Sequence, residues 1–551
     1  MISCSFMKHS PAPPRPHLEA RLTSRPIHRH AAVGFSMVTA LVLLAVGIDE
    51  RAFWLDEAQI GLFAREGFGT LIDRAVADNQ PIFYVLLIKA WSLLAGRSEL
   101  ALRAFSAVCV LLAIPLAHAT ALRLTRRQAA ADIAALATAT NHHLLFWGMQ
   151  ARPYTLAPLM GLVSFYLLLR LLAREPPRPR AWLAVAYGLT ALAMVYTHPW
   201  CVLIFGVQVL GTVWLTATGR TPHRQPLLAQ GVVVICSLPL AWVMVEQGRM
   251  GVSTWMSTPP WWTPIASITF IMGRRGLWIA YLALLVGAAG VYAAVPRTRR
   301  RRPNRPGTLA WLLGWLLLPM IGALVVSHTF RPAYYPGRYD VIVAPAFFLL
   351  LGWTGAHVPR RALWLTLAPL LIALSGWGMF HYVELTRRVP RNDRTVAAEL
   401  VRQVQHGDWI VMTGLTWGPY AYYIPRLNEP TGRQLHLRPF PPEMAEHPGW
   451  QKRQTTEHDR HRYRQQAQRL IEQIRNVGGH ARVWVLMERT PAARILRQNL
   501  DEAFELEAQR AIPPPRPAHM RLAYILRYGA AARTDAQTDH PKPAPNPSRE
   551  R

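Results

Sequence analysis

Two adjacent carboxylates, Asp56 and Glu57 in "FWLDEAQIG", stand just after the first long apolar run of the chain. A third acid, Asp78 in "DNQP", follows in the same polar stretch. Cations and aromatics recur where later apolar runs begin or end: Arg152 and Tyr154 in "QARPYTL", His198 in "YTHPW", Arg249 in "EQGRMG", Arg331 in "TFRP", and Arg338 with Tyr339 in "YYPGRYD". These residue types suit one chemistry. An arginine fork binds phosphate oxygens. A carboxylate takes a proton from an acceptor hydroxyl. Neighbouring acids repel, which raises one pKa and suits a base. Asp56, Glu57 and Asp78 are thus the catalytic candidates. Arg152, Tyr154, Arg338 and Tyr339, with Lys89 nearby, are candidates for holding an anionic phosphate. His198, Arg249 and Arg331 are further candidates for substrate contacts.

Each residue also has a structural role open to it. Acids after a membrane helix can be ordinary interfacial charges. "RPY" can be a proline helix start with a snorkelling arginine. His198 before Pro199 can be a turn residue, and Arg338 between Tyr335 and Tyr339 an aromatic-belt anchor. Lys89 can snorkel from its own helix. No single motif is specific; their joint placement on one face carries the reading.

That placement follows from the elements around them. Of 551 residues, 51% are hydrophobic and 17% charged. Several apolar runs reach the ~18 residues that mark a membrane helix, so the chain is predicted to be a polytopic membrane protein. The net charge of +30 is carried largely by arginine clusters between those runs. Such clusters belong to cytoplasmic loops, which sets nucleic-acid binding aside. The four cysteines, Cys4, Cys109, Cys201 and Cys236, show neither metal-ligand spacing nor a disulfide framework.

The composition of residues 1–30 predicts a disordered cytoplasmic tail. Ala31 to Ile48 reads as an uncleaved first helix. Basic loops follow the runs 101–122, 154–172, 200–216, 278–295 and 341–357. Placing all five in the cytoplasm gives about eleven helices and an outer C-terminus. "PIFYVLLIKAWSLLAG", residues 81–96, is short and carries Lys89, so it reads as an interfacial helix. The first outer loop is then long, residues 49–99, and the membrane domain spans 31–383. Residues 384–528 alternate helix and strand signals, with strands expected at Ile410–Met412, Val483–Met487 and near Met520; this predicts a small extracytoplasmic α/β domain. Residues 529–551 read as a disordered tail.

In order, "FWLDEAQIGLFAREGF", "DNQPIFYVLLIKAWSLLAGRSELALRAFSAV", "WGMQARPYTL", "VYTHPW" and "YYPGRYDVIVAPAFFLLLGW" resemble the bacterial membrane glycosyltransferases of the dolichyl-phosphate-mannose protein mannosyltransferase superfamily. That superfamily includes glycosyltransferase family 39 and the aminoarabinose lipid A transferases. The resemblance covers patches from Ala31 to Tyr382. It implies a helical GT-C fold, a sugar donor carried on a polyprenyl phosphate, and an active site at the outer membrane face. The family's essential loop carboxylate corresponds to Asp56, with Glu57 beside it, and its second acidic position to Asp78. Its R-x-Y motif corresponds to Arg152 and Tyr154, and its late RY motif to Arg338 and Tyr339. One segment departs: "DNQPIFY" has Gln80 where the family has His, and Ile82 where it has a second Pro.

The expected function is an inner-membrane glycosyltransferase acting by inverting single displacement. Arg152 and Arg338 would hold the donor phosphate and Asp56 would serve as base. A divalent cation, Mg or Mn, could bridge carboxylate and phosphate, although no ligand spacing demands one. The acceptor is a lipid, glycan or protein. Two other classes fit the same charges: a flippase or transporter of lipid-linked sugars, and a non-catalytic envelope assembly partner. Transporters bury their charges near the midplane, whereas these cluster at helix ends.

Overall fold

The computed structural model describes residues 26–173, 181–218, 224–249, 256–273, parts of 278–290, 307–388, 392–445, 455–477, 482–512 and 522–532. The basic loops at 174–180, 219–223 and 297–305, most of the N-terminal tail and the tail beyond Ala532 lie outside these residues.

The first helix, α1 (Pro26–Gly47), starts earlier than Ala31. Three helices then fill the expected outer loop: α2 (Leu55–Phe63), α3 (Phe68–Ala77) and α4 (Ile82–Ala95). α4 coincides with the segment read as interfacial and packs against α3 and the next helix, α5 (Glu99–Thr125). Ser98 caps α5 by accepting the Ala101 N–H, and Glu99 sits favourably in its first turn. There follow α6 (Gln128–Thr140), α7 (His142–Gly148), α8 (Leu156–Leu171), α9 (Ala181–Thr197), α10 (Cys201–Ala217), α11 (Arg224–Cys236), α12 (Leu238–Arg249), α13 (Thr263–Ile271), α14 (Thr308–Thr329), α15 (Ala344–Thr354) and α16 (Arg360–Arg387).

Among the described residues, five helices are long and apolar enough to cross a membrane: 30–47, 99–125, 224–246, 308–329 and 360–387. Five shorter apolar helices accompany them. Many of their large apolar side chains, Leu41, Leu112, Ile235 and Phe380 among them, point outward. An outward apolar surface of this kind suits a lipid solvent. The chain is a multi-pass membrane protein. Its centre is α6, alanine-rich and buried on every side from Ala129 to Thr140. Small residues let backbones close in. A Cβ on Gly352 of α15 would lie 2.5 Å from the Ala130 carbonyl oxygen.

The C-terminal part is an α/β unit. Strands β1 (Trp409–Thr413), β2 (His436–Phe440), β3 (Val483–Glu488), β4 (Phe504–Ala511) and β5 (Leu522–Ala532) form one sheet in the order β2-β1-β3-β5-β4. β1 runs parallel to β2 and β3, while β5 is antiparallel to β3 and β4. β2 and β4 had no counterpart in the sequence reading. Both are edge strands, one carrying Pro439 and the other the mostly exposed "FELEAQRA", so neither has the apolar alternation that betrays a strand. Helices α17 (Asp393–Gln403), α18 (Trp417–Asn428), α19 (Glu457–Val477) and α20 (Pro491–Ala503) cover the sheet. Side chains alternate across β1. Trp409 and Val411 join α19 and α20, while Ile410 and Met412 join the same core as α17, α18 and the membrane helices. The α/β unit is thus packed onto the membrane domain through one face of its sheet.

Candidate active site

A cavity of about 1210 Å³ opens where α2, the α7–α8 turn, the α9–α10 turn and the loop before α15 converge. Its polar end is lined by Arg51, Asp56, Asp78, Gln80, Arg152, His198, Arg331 and Arg338. Its other wall is apolar: Val202 and Leu203 from α10, Leu240, Ala241, Met244 and Val245 from α12, and Ala323 and Val326 from α14. One compartment is therefore lined by both charged and apolar side chains.

Asp56 sits at the head of this site. Its Oδ2 takes a salt bridge from Arg338 and lies 3.4 Å from Arg152 Nη2. Arg152 also donates to the Asp56 backbone carbonyl, at 3.3 Å. Arg338 Nε donates to the Tyr154 hydroxyl at 2.7 Å, and the Arg338 guanidinium lies over the Trp54, Tyr154 and Tyr339 rings. These aromatic walls strip water from the cations and strengthen what they bind. Burial pushes the Asp56 carboxyl up, but Arg338 and Arg152 together outweigh it and hold the group below its ordinary value. The expectation of a base with a raised pKa from acid–acid repulsion is overturned at this residue.

Asp78 is the raised carboxylate. It ends α3, and burial, reinforced by the charge of Asp56, brings it up to about 7 against the hydrogen bond from Gln80. Gln80 links the two halves of the polar end. Its Nε2 donates to Asp78 Oδ2 at 3.1 Å, and its Oε1 accepts from Arg152 Nη1 at 3.4 Å. Asn79, between them, holds a left-handed φ of 54° that turns the chain.

Glu57 does not share the cavity. One helical step from Asp56, it points into the protein and is fully buried. Arg103 of α5 grips it with two 2.8 Å hydrogen bonds, and the Ala151 N–H adds a third at 2.9 Å. The same arginine donates to the carbonyls of Ile48 and Arg51. Glu57 is thus a framework residue, tying α2 to α5 and to the turn that carries Arg152. Lys89 is likewise turned away: buried on α4, it donates to the Ala64 carbonyl at 3.1 Å and lies over the Phe68 ring.

His198 lines the cavity against Tyr154 and Tyr339, with ring centroids 5.7 Å and 5.0 Å away. Burial, with Arg338 and Arg152 adding repulsion, brings it down to about 3, so it is a neutral group. Its Nδ1 accepts the Trp200 N–H, which leaves Nε2 as the donor. Arg331 also lines the cavity. The side chain of Arg249, at the end of α12, lies outside the described residues.

The turn that bears Arg338 and Tyr339 is pinned by Asp340, which the sequence reading passed over. Asp340 accepts the Gly337 N–H at 2.8 Å and pairs with His143 of α7 at 3.2 Å. Gly337 has φ 78° and rests against the Phe270 ring, which a Cβ would meet at 2.9 Å. The glycine three residues before the aspartate in "PGRYD" was the available signal.

Two buried donors in the cavity wall, Arg152 Nε and Arg331 Nη1, have no hydrogen-bond partner among the described residues. Buried donors of this kind take water or an anion. A resident divalent cation suits the donor set poorly. Asp56 is spanned by two guanidiniums, Glu57 is committed to Arg103, and no group of three or more His, Cys, Asp or Glu residues among those described could hold a metal.

No family model matches the chain, and no curated protein matches it. Solved structures do. ArnT from Cupriavidus metallidurans bound to undecaprenyl phosphate is similar at 14% identity and a TM-score of 0.56, over 93% of this chain and 99% of that one. Its apo form is similar at 15% identity and a TM-score of 0.56, over 91% and 98%. At this identity the likeness is one of fold, extending over both the membrane helices and the C-terminal unit.

Proposed function

Starting from a chain with the GT-C fold, we propose that it is an integral membrane glycosyltransferase. It moves a sugar from a polyprenyl-phosphate donor to an acceptor at the extracytoplasmic face. The observation that carries this reading is the Asp56–Arg338–Arg152 cluster at the charged end of a cavity whose other wall is apolar. A lipid phosphate needs both surfaces at once. The fold likeness adds support, since the ArnT structure is bound to undecaprenyl phosphate.

The donor phosphate competes with Asp56 for Arg152 and Arg338, and Arg152 Nε, now without a partner, joins it. As the guanidiniums turn to the phosphate, Asp56 loses the charges that depress its basicity. Asp56 then takes the proton of the acceptor hydroxyl. The acceptor oxygen forms a bond to the anomeric carbon while the carbon–phosphate oxygen bond breaks. The phosphate leaves with the electron pair, stabilised by the arginines, and the anomeric centre inverts. His198 and Tyr339 line the same cavity and would contact the sugar. The arginines supply the positive charge that a Mg or Mn ion would otherwise bring.

Eleven crossings, a cytoplasmic N-terminus, an outer C-terminal unit and residence in the bacterial inner membrane complete the reading. Nucleotide sugars are confined to the cytoplasm, so chemistry on the outer face calls for a lipid-carried donor.

The test uses membranes with the wild type or Asp56→Ala, a panel of radiolabelled polyprenyl-phosphate sugars, and envelope extract as acceptor. Label entering lipid, glycan or protein with the wild type alone supports the reading and identifies donor and acceptor class. Equal transfer by both removes Asp56 from the base role. No transfer from any donor shifts the reading to translocation of lipid-linked sugars.

A further inference from the structure

Helix α2 carries Asp56 but has little to hold it in place by itself. It is nine residues long, and its N-cap residue, Trp54, makes no side-chain capping bond. A helix this short is marginal without tertiary contacts. Arg103 anchors one side of it through Glu57. The opposite side is held by the C-terminal α/β unit.

The contacts come mainly from two consecutive tyrosines of α18. The Phe53 N–H, just before α2, donates to the Tyr423 hydroxyl at 2.7 Å, and the bond is buried. The Phe53 ring packs on the Tyr422 ring, with centroids 5.0 Å apart. Near the other end of α2, Tyr422 lies so close to Gly61 that a Cβ there would stand 2.6 Å from the ring. Arg65, just past the helix, donates to the Tyr422 carbonyl at 3.1 Å. Gly418 of α18 also approaches Leu55, its Cβ position being 3.0 Å from Leu55 Cδ1. Both ends of α2 are therefore gripped, with Asp56 between them.

The strand topology explains why α18 is available. β1 connects to β2 on one side and lies beside β3 on the other, so the order reverses at the carboxyl ends of β1 and β3. In open α/β sheets that point is a ligand crevice. Here the turn Gly414–Thr416 and α18, which follow β1, are spent on the membrane domain instead. Leu415 lines the catalytic cavity itself, and its N–H is held by Glu488 at the end of β3.

We propose that the C-terminal α/β unit is a brace for the catalytic carboxylate, with Tyr422 and Tyr423 as positioning residues that set helix α2, and so Asp56, against the arginines. This rests on the reading of Asp56 as the reacting base. An error of about 1 Å in such a group costs on the order of 10²-fold in rate.

The test is made on the full chain in detergent with the variants Tyr422→Ala, Tyr422→Phe, Tyr423→Phe and Gly61→Ala. Two quantities are read: hydrogen exchange over residues 53–63, and steady-state transfer. The brace predicts faster exchange in that segment for Tyr422→Ala and Gly61→Ala, with kcat down about 10–100-fold and the donor KM changed less than about threefold. Tyr422→Phe, which keeps the ring, retains both protection and turnover. Combining Gly61→Ala with Tyr422→Ala lowers turnover no further than Tyr422→Ala alone, because the added methyl then meets no Tyr422 ring. Unchanged exchange over 53–63, or faster exchange with unaltered kcat, overturns the proposal. Should Tyr422→Ala fail to fold, Tyr423→Phe and Gly61→Ala decide it. A wild type that transfers no sugar overturns the functional reading and with it the catalytic role of the brace, whereas an active wild type whose variants show unchanged exchange overturns the brace alone.

Discussion

Arg338 and Asp56 lie 282 residues apart in the chain and meet in a salt bridge at the charged end of the cavity. The two sides of the pair come from different scaffolds. Arg338 stands on a turn pinned by Asp340 and His143, and Asp56 on a helix held by Arg103 and α18. Asp56 thus offsets part of the positive charge that Arg338 and Arg152 bring to the cavity.

Arg338→Lys is expected to behave as a loss rather than a conservative change. The guanidinium serves Asp56 and Tyr154 at once while lying over Trp54, a geometry a lysine ammonium cannot reproduce. Transfer should fall about 10²–10³-fold, the usual effect of removing one preorganised charge donor. Asp56→Asn should fall about 10²–10⁴-fold in kcat, as expected for a general base. Initial rates with a labelled lipid-phosphate donor measure both. An Arg338→Lys enzyme within threefold of wild type would remove the phosphate-holding role.

Asp78 gives the site a pH dependence of definite sign. Burial raises it to about 7, so it is neutral below that pH and anionic above. Its ionised form repels a phosphate held by Arg152, to which Gln80 connects it. The donor KM should therefore rise several-fold as pH increases from 6 to 8, and Asp78→Asn should be flat across that range. A donor KM independent of pH in the wild type would contradict this.

Part of the cavity lining was legible because polar residues at the ends of apolar runs stand out from their surroundings. Asp56, Asp78, Arg152, His198, Arg331 and Arg338, all read as facing outward, converge on one cavity. What the sequence hid were partners distant in the chain. Nothing near Glu57 announces Arg103, 46 residues away, so adjacency to Asp56 suggested a shared role that helix geometry forbids. Successive helical residues point about 100° apart. Lys89 misled similarly, since its acceptor is a backbone carbonyl that no side-chain pattern reveals. Tyr422 and Tyr423 were unreadable for another reason: their value lies in a close approach to Gly61 and Phe53 across a domain boundary. The inner strands β1 and β3 showed their apolar runs, while the edge strands β2 and β4 did not.

Glu57 and Asp56 should separate cleanly in experiment. Glu57→Gln takes from the buried Arg103 guanidinium its two-pronged counter-charge and leaves it only Glu99 at 3.8 Å, and breaking such a pair costs about 3–5 kcal/mol. Thermal unfolding in detergent should show a marked fall in midpoint and a lower yield. Asp56→Asn should lower the midpoint less than Glu57→Gln does, since Asp56 and its arginines stand at a cavity that water enters and the pair is less buried. Equal midpoints for Glu57→Gln and wild type would refute the framework role.

Asp393 supplies the last prediction, on stability. It opens α17 and is buried, which raises its carboxyl to about 7, while Tyr420 and Arg51 beside it pull the other way. In the unfolded chain an aspartate titrates near 3.9. Between those values the folded protein keeps a proton that the unfolded chain gives up. Stability from this group is therefore full below about pH 4 and is lost as pH rises through about 7. Asp393→Asn carries no charge at any pH, so its unfolding midpoint should gain on the wild type progressively from pH 4 to pH 7 and then level off. A constant difference between the two across that range would show that Asp393 is ionised in the folded protein throughout.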